Sequence, residues 1–237
     1  KNSFLNMKEI KNFILTGGSG FIGSHFREKL QDRILLNIDL YDPGEDPYRN
    51  FVQCDILDEK KLLNLSLEFD PSETTLIHLA AVHFDFQKNY YPTNVDGTKN
   101  MLEAALACGV KKVVYTSSSA VFGVPANNPV DESVVPTPGE AYGAAKYEGE
   151  LLCNEYIKAG LDITIVRPRT IIGHGRLGIF QVLFEWIREG RNVPVLGDGS
   201  NIYQFVHSDD LADACILAGE LAGSSTFNCG AEEFGSM

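Results

Sequence analysis

Positive charge is scarce in this sequence. Lys and Arg total 20 against 32 Asp and Glu, a net charge of −12. A phosphate backbone is held by clustered Lys and Arg, so the balance argues against nucleic acid as a partner. It argues equally against docking on anionic membranes. No apolar run approaches the roughly 20 residues that span a bilayer. Lys1 to Lys11 lacks the apolar centre of a signal peptide. The chain does not begin with Met, and Met7 is a candidate native start with residues 1–6 foreign to it. Five cysteines (Cys54, Cys108, Cys153, Cys215 and Cys229) are widely spaced, odd in number and form no CxxC. That argues against a disulfide scaffold or a metal site, and for reduced thiols in a cytoplasmic protein. Gly and Pro number 22 and 10, far below collagen-like or low-complexity levels. No internal repeat is present.

What is there is ordinary for a globular chain. Of 237 residues, 44% are hydrophobic and 22% charged, enough to bury a sizeable core. Short apolar runs alternate with longer amphipathic ones. Strands are expected at Asn12–Thr16, Ile34–Asp39, Asn50–Cys54, Thr75–Ala80, Lys112–Ser117 and Asp162–Arg167. Helices are expected from about Gly20 to Leu30, Asp58 to Leu67, Asn94 to Cys108 and Ala141 to Ala159. Gly109 and Gly160 stop the last two. Strands apolar throughout and separated by helices predict βαβ units, and so an α/β fold with a doubly wound parallel sheet. After Arg167 the alternation breaks down. Leu177–Glu189 and Ser208–Leu221 read as helices of a smaller appended lobe. Gly123–Gly139, with four prolines, reads as a long loop bordering a site.

The first strand runs into Gly17-Gly18-Ser19-Gly20-Phe21-Ile22-Gly23. Glycines at 17, 20 and 23 suit a tight turn, a close approach to a pyrophosphate, and tight helix–strand packing. The following helix N-terminus offers free N–H groups to phosphates. Asp39 closes the second strand, 22 residues after Gly17. There an acid can bind both ribose hydroxyls and repel a 2′-phosphate, which favours NAD over NADP. Asp55, after the third strand, is either an adenine contact or a capping carboxylate.

Tyr142 and Lys146 share one face of a predicted helix. An ammonium beside a phenol lowers its pKa and makes it a usable base. Ser117-Ser118-Ser119 ends the preceding strand and supplies hydroxyls to orient a substrate oxygen.

The glycine loop, Asp39, His78-Leu-Ala-Ala81, Asn94-Val-Asp-Gly-Thr98, Ser117 to Gly123, Tyr142/Lys146 and Arg167-Pro168 follow one another in a known order. The chain resembles the extended short-chain dehydrogenases/reductases, in their NAD-dependent epimerase/dehydratase branch, over residues 10 to 230. The resemblance implies a Rossmann-type NAD domain at 10–168. It implies a mostly substrate-binding lobe at 169–237, with some segments returning to the sheet. The family pattern continues past Met237, so that lobe reads as incomplete. Ser118 would be the catalytic hydroxyl, Tyr142 the acid/base, and Lys146 the group that lowers its pKa and holds the nicotinamide ribose. Gly17, Gly20, Phe21, Ile22, Gly23, Asp39, Asp55, Ile56, Leu79, Ala80, Ala81, Asn94, Tyr142, Lys146 and Pro168 would line the cofactor. Asn94 would support the active-site backbone or a water, or serve as a helix N-cap. A homodimer through the Asn94 and Tyr142 helices is implied as well.

Three departures bear on the substrate. Dehydratases of the family carry an Asp-Glu pair after the catalytic hydroxyl; here the pair is Ser119-Ala120. Many nucleotide-sugar enzymes bind the diphosphate with an Arg where Tyr203 stands, and a phenol lacks its charge and fork. Arg169 or Arg176 are candidate replacements. Thr170 replaces a common substrate-contacting Asn, and the loop Val82–Pro92 is short. His83, Ser119, Arg169, Thr170 and Tyr203 are the candidate substrate residues, and His174 lies in another cleft-facing loop. His78 and His207 read as structural, and Trp186 with Phe180, Leu183 and Ile187 as lobe packing. The leading expectation is an NAD-dependent sugar 4-epimerase acting on a small-molecule nucleotide sugar. A net dehydrogenase or reductase of a hydroxysteroid-like alcohol and a non-catalytic NAD-binding regulator are the alternatives.

Overall fold

The structure is a computed structural model, and it describes residues 7–47, 50–65, 68–83, 90–174, 180–194 and 197–236. The proposed foreign segment 1–6, Arg176 and most of the loop after His83 lie outside the described residues, as does the side chain of Phe180.

Seven parallel strands form the central sheet. They are β1 (Asn12–Thr16), β2 (Ile34–Asp39), β3 (Phe51–Gln53), β4 (Thr74–His78), β5 (Lys112–Thr116), β6 (Asp162–Pro168) and β10 (Ser225–Cys229). Their order across the sheet is β10-β6-β5-β4-β1-β2-β3. Six of them therefore stand in the doubly wound order 3-2-1-4-5-6, with β10 added beside β6. Successive side chains point to opposite faces and both faces are covered, which is why the inner strands are predominantly apolar. In β1, Phe13 and Leu15 face one layer and Ile14 the other. The first layer holds α1 (Phe21–Leu30) and α6 (Ser208–Glu220), which bury Phe26, Leu30, Leu211 and Cys215. The second holds α2 (Glu59–Leu63), α3 (Gly97–Ala107) and α4 (Ala141–Lys158), which bury Leu62, Met101, Leu102 and Cys153.

Helix starts differ from the sequence reading at one informative place. The stretch expected to open a helix at Asn94 is a wide π-helical turn over Pro92–Asp96, and regular α3 begins at Gly97. Asn94 caps no helix. At α4, Glu140 does the capping, accepting from Gly143 N at 2.7 Å and Tyr142 N at 3.1 Å. This fixes the position of Tyr142 in the first turn.

Beyond β6 the strands outside the main sheet are short. β7 (Thr170–Ile172) pairs with β9 (Phe205–His207), and β8 (Ile202–Tyr203) with β11 (Gly235–Ser236). α5 (Phe180–Arg188) stands between these pairs in sequence. Among the described residues no helix is long and apolar enough to cross a membrane.

Candidate active site

The strand order reverses between β1 and β4, and such a switch point opens a crevice at the strands' carboxyl ends. The glycine loop follows β1 there and Leu79-Ala80-Ala81 follows β4. Gly17 has φ +72°, and a Cβ on it would lie 2.6 Å from Ala80 N. Only glycine lets the two loops approach this closely. Gly17 N donates to Ile38 O at 2.9 Å, which ties the loop to β2 as well. Gly20 is the extended residue before α1, and a Cβ there would meet only Gly17 O, at 3.3 Å. Its outer side is open. No side chain caps α1, so among the described residues the N–H groups of Phe21, Ile22 and Gly23 are left for an anion. Gly23 packs on the backbone of Gly18.

Asp39 reaches this loop from the end of β2. Its Oδ2 accepts from Ser19 N at 2.9 Å and its Oδ1 from Tyr41 N at 3.2 Å. Arg27, buried in α1, donates from Nη1 to Gly18 O and from Nε to Asp46 Oδ2. It thereby clamps the segment after β2 onto the glycine loop. The sequence reading missed Arg27, because nothing in its helical position shows that it turns inward.

Below the crevice runs a closed hydrogen-bond chain. Thr98 Oγ1 donates to Asn94 O at 2.8 Å and accepts from His78 Nε2 at 3.0 Å. His78 Nδ1 therefore accepts from Thr16 Oγ1, at 2.6 Å. Burial pushes His78 down to about 3, with Lys146 adding to the shift, so it is a neutral structural group. Asn94 is fully buried and spends its amide on one residue. Its Oδ1 accepts from Val82 N at 2.9 Å and its Nδ2 donates to Val82 O at 3.0 Å. This pins the segment that carries His83, whose ring meets Tyr142 edge-on at 4.5 Å. Tyr90 packs on Tyr142 from another side, at 5.9 Å.

Ser118 follows β5 and opens a single helical turn, Ser119–Phe122, accepting from Ala120 N at 3.1 Å. Its hydroxyl also lies close enough to the Tyr142 phenol to pull that group's pKa down. Burial pushes that phenol up to about 12, Ser118 pulls it down, and the Glu140 carboxylate raises it further. The net shift is thus upward, where the sequence pointed to a lowered value. The Lys146 ammonium lies over the ring of Tyr115 at 4.3 Å, and burial brings it down to about 8. Ser118, Tyr142 and Lys146 thus come together at the carboxyl end of β5, beside the switch point.

Beneath Lys146 lies a group the sequence reading also missed. Glu150, 1% exposed, takes a two-pronged bond from Arg167, Nε to Oε1 at 2.9 Å and Nη2 to Oε2 at 2.6 Å. Ser117 Oγ donates to Oε1 at 2.6 Å. Four residues past Lys146, Glu150 reads in sequence as a partner for that lysine.

The remaining candidates fall in two groups. Ile56 is buried against Gly97 and Asp55 accepts from Leu57 N at 2.9 Å, beyond the end of β3. Pro168 ends β6 and is buried. Arg169 N donates to Cys229 O at 2.8 Å, while its buried Nε has no partner. Thr170 is exposed at the start of β7. Tyr203 stacks on Phe205, centroids 6.3 Å apart and planes 12° apart. His207 caps α6, accepting from Asp209 N at 3.2 Å, and His174 packs edge-on against it at 6.1 Å.

These residues fit NAD. The open side of Gly20 and the uncapped α1 suit a pyrophosphate, Asp39 suits the adenosine ribose, and Lys146 and Tyr142 lie where the nicotinamide end would rest. An uncharacterized protein of Sinorhizobium fredii is 43% identical over 233 residues, 96% of this chain and 58% of its own length. The UDP-glucose 4-epimerase of Mycolicibacterium smegmatis is 34% identical over 245 residues, covering 92% of this chain and 76% of its own. The chain thus spans between about half and three quarters of these relatives. Among solved structures, the UDP-glucose 4-epimerase of Brucella ovis in complex with NAD superposes with a TM-score of 0.81 at 26% identity. That match covers 95% of this chain and 79% of the other. Residues 13–230 match the NAD dependent epimerase/dehydratase family, and the chain belongs to it.

Proposed function

We propose that this chain carries out NAD-dependent chemistry at a secondary alcohol of a nucleotide sugar, in the manner of a 4-epimerase. The carrying observation is that the Ser118 hydroxyl acts on the Tyr142 phenol, one helical turn from Lys146. Tyr142 Oη takes the proton of the substrate hydroxyl. Ser118 Oγ holds the same substrate oxygen and fixes its approach. Lys146 holds the nicotinamide ribose and offsets the phenolate. A phenol near 12 is a poor base at neutral pH, so nearby positive charge must favour its ionised form. Bound NAD would supply a reversible hydride acceptor for the carbon that bears the substrate hydroxyl. The residues after Ser118 are Ser119 and Ala120, which supply no acid/base pair for eliminating water. That favours epimerisation over dehydration.

The test is a panel of nucleotide sugars and simple alcohols with NAD, following NADH and product stereochemistry together. An epimerised sugar with no accumulating NADH supports the reading. Steady NADH release with one alcohol rejects it. The Tyr203–Phe205 stack favours a second reading, net dehydrogenation of a hydroxysteroid-like alcohol. With Ala231 and Phe234 it lines an open cavity of about 390 Å³, a wall better suited to an apolar ligand than to a diphosphate. Thermal protection by UDP or dTDP in the presence of NAD counts against that reading. The family resemblance supports a cytoplasmic homodimer joined through α3 and α4, and sedimentation of the purified chain tests the dimer.

A further inference from the structure

Lys146 and Glu150 stand four residues apart on α4, a spacing at which lysine and glutamate side chains ordinarily meet. Here no ion pair joins them. Arg167 occupies both Glu150 oxygens, at 2.9 and 2.6 Å, and Ser117 adds a third bond at 2.6 Å. Arg167 is itself braced over the ring of Phe122 at 5.0 Å. Lys146 faces the Tyr115 ring instead, at 4.3 Å. All three charges are buried: Lys146 is 2% exposed, Glu150 1% and Arg167 6%.

We propose that Arg167 is a positioning residue: it holds Glu150 away from Lys146 and so keeps the lysine ammonium free for the cofactor ribose and the Tyr142 phenolate. The inference rests on the assignment of Lys146 and Tyr142 made under the proposed function. The buried charges compete for one another in a low dielectric. A carboxylate released beside a buried ammonium pairs with it, because both desolvated charges otherwise stand alone. The pair would take up the N–H donors meant for the ribose. It would also cancel the charge that stabilises a phenolate. With Arg167 present, Lys146, Glu150 and Arg167 sum to one positive charge; without it they sum to zero. The other titratable groups facing Lys146 are Tyr115 on β5, His78 on β4 and Cys153 on α4. Burial holds Tyr115 and Cys153 protonated and His78 unprotonated, so none competes for the ammonium. Lys146 itself is brought down to about 8, so it keeps its proton at neutral pH and loses it just above.

The test is calorimetric titration of the intact chain with NAD across pH, on wild type, Lys146→Met, Arg167→Met, Arg167→Lys and Arg167→Met combined with Glu150→Gln. Each variant's unfolding temperature is measured separately. Lys146→Met is expected to weaken NAD about tenfold or more, the loss of charged hydrogen bonds. Arg167→Met is expected to weaken it comparably. Its affinity should also fall off about one pH unit higher than wild type, because a lysine paired with Glu150 holds its proton longer. Adding Glu150→Gln should recover most of the lost affinity while leaving the unfolding temperature low. A role confined to core packing would lower the unfolding temperature with no pH displacement and no recovery. If Arg167→Met does not fold, Arg167→Lys keeps the charge and loses the fork, and the same recovery by Glu150→Gln is required. Wild-type affinity in Arg167→Met, or no recovery in the double variant, overturns the inference. Unchanged affinity in Lys146→Met overturns instead the assignment of Lys146.

Discussion

Two glycines in one loop should respond to the same substitution in opposite ways. Gly17 carries φ +72°, and its Cβ would lie 2.6 Å from Ala80 N. The left-handed conformation costs an ordinary residue about 1–2 kcal/mol. Forcing the β4 backbone aside costs about 1–3 kcal/mol more. Gly17→Ala should therefore lose about 2–5 kcal/mol, which for a chain of this size is a fall of about 4–20 °C in Tm. Gly20 has φ −75°, and a Cβ there meets only Gly17 O, at 3.3 Å. Alanine costs the fold nothing in conformation and restricts the unfolded chain, so Tm should hold or rise by about 1–3 °C. The added methyl instead stands on the open side, where the pyrophosphate would approach α1. Crowding of about 1–3 kcal/mol there weakens NAD roughly 5- to 150-fold.

The assay pairs differential scanning fluorimetry with calorimetric NAD titration on both variants. Each half can fail independently. Wild-type NAD affinity in Gly20→Ala would mean that the pyrophosphate does not rest on this turn. An unchanged Tm in Gly17→Ala would mean that the glycine loop and Ala80 are not in contact.

Tyr142→Phe should reduce turnover about 10²- to 10⁴-fold while NAD affinity and Tm stay near wild type; turnover equal to wild type would return the chain to a binding role. Asp39→Ser should weaken NAD about tenfold through the lost charged hydrogen bonds and narrow the preference over NADP, and an unaltered NAD-to-NADP ratio in paired titrations would remove Asp39 from the ribose. His78 is ordinary near 6.5 when unfolded and pushed to about 3 in the fold. Between those values the unfolded chain binds a proton that the fold does not, so stability falls as pH drops below 6.5. The loss is about 1.4 kcal/mol per pH unit, or roughly 2 kcal/mol by pH 5. Urea unfolding of His78→Gln at pH 7 and pH 5 should show a difference smaller by that amount, and an equal difference in variant and wild type would contradict the burial argument.

The sequence spoke most clearly where one physical demand acted alone. Strands covered on both faces must be apolar at most positions, so β1, β2, β4, β5 and β6 could be read nearly to the residue. The glycine spacing and the Tyr142/Lys146 pair were legible because backbone approach and phenol ionisation leave few alternative residue types. β10 was hidden, because its sequence, Ser-Thr-Phe-Asn-Cys, is polar and lies on the sheet edge beside β6. The paired strands of the lobe are two or three residues long, too short for any periodicity to register.

Buried charge was the least legible feature, and it governs the candidate site. Arg27, Glu150 and Arg167 are of residue types that ordinarily lie on the surface, yet they are 8%, 1% and 6% exposed. A spacing of four says that Lys146 and Glu150 can meet; it cannot say that a residue on another strand will take the carboxylate first. The same limit applies to Tyr142. Its sequence neighbour Lys146 predicts a lowered pKa, but burial is a sum over everything packed around the phenol and it wins. A motif names the groups that do chemistry, and the strands packed beneath them set the charge at which they do it. In this chain that layer is Arg167 on Glu150. It follows that grafting Ser118, Tyr142 and Lys146 alone onto another parallel sheet would reproduce the motif without its electrostatics.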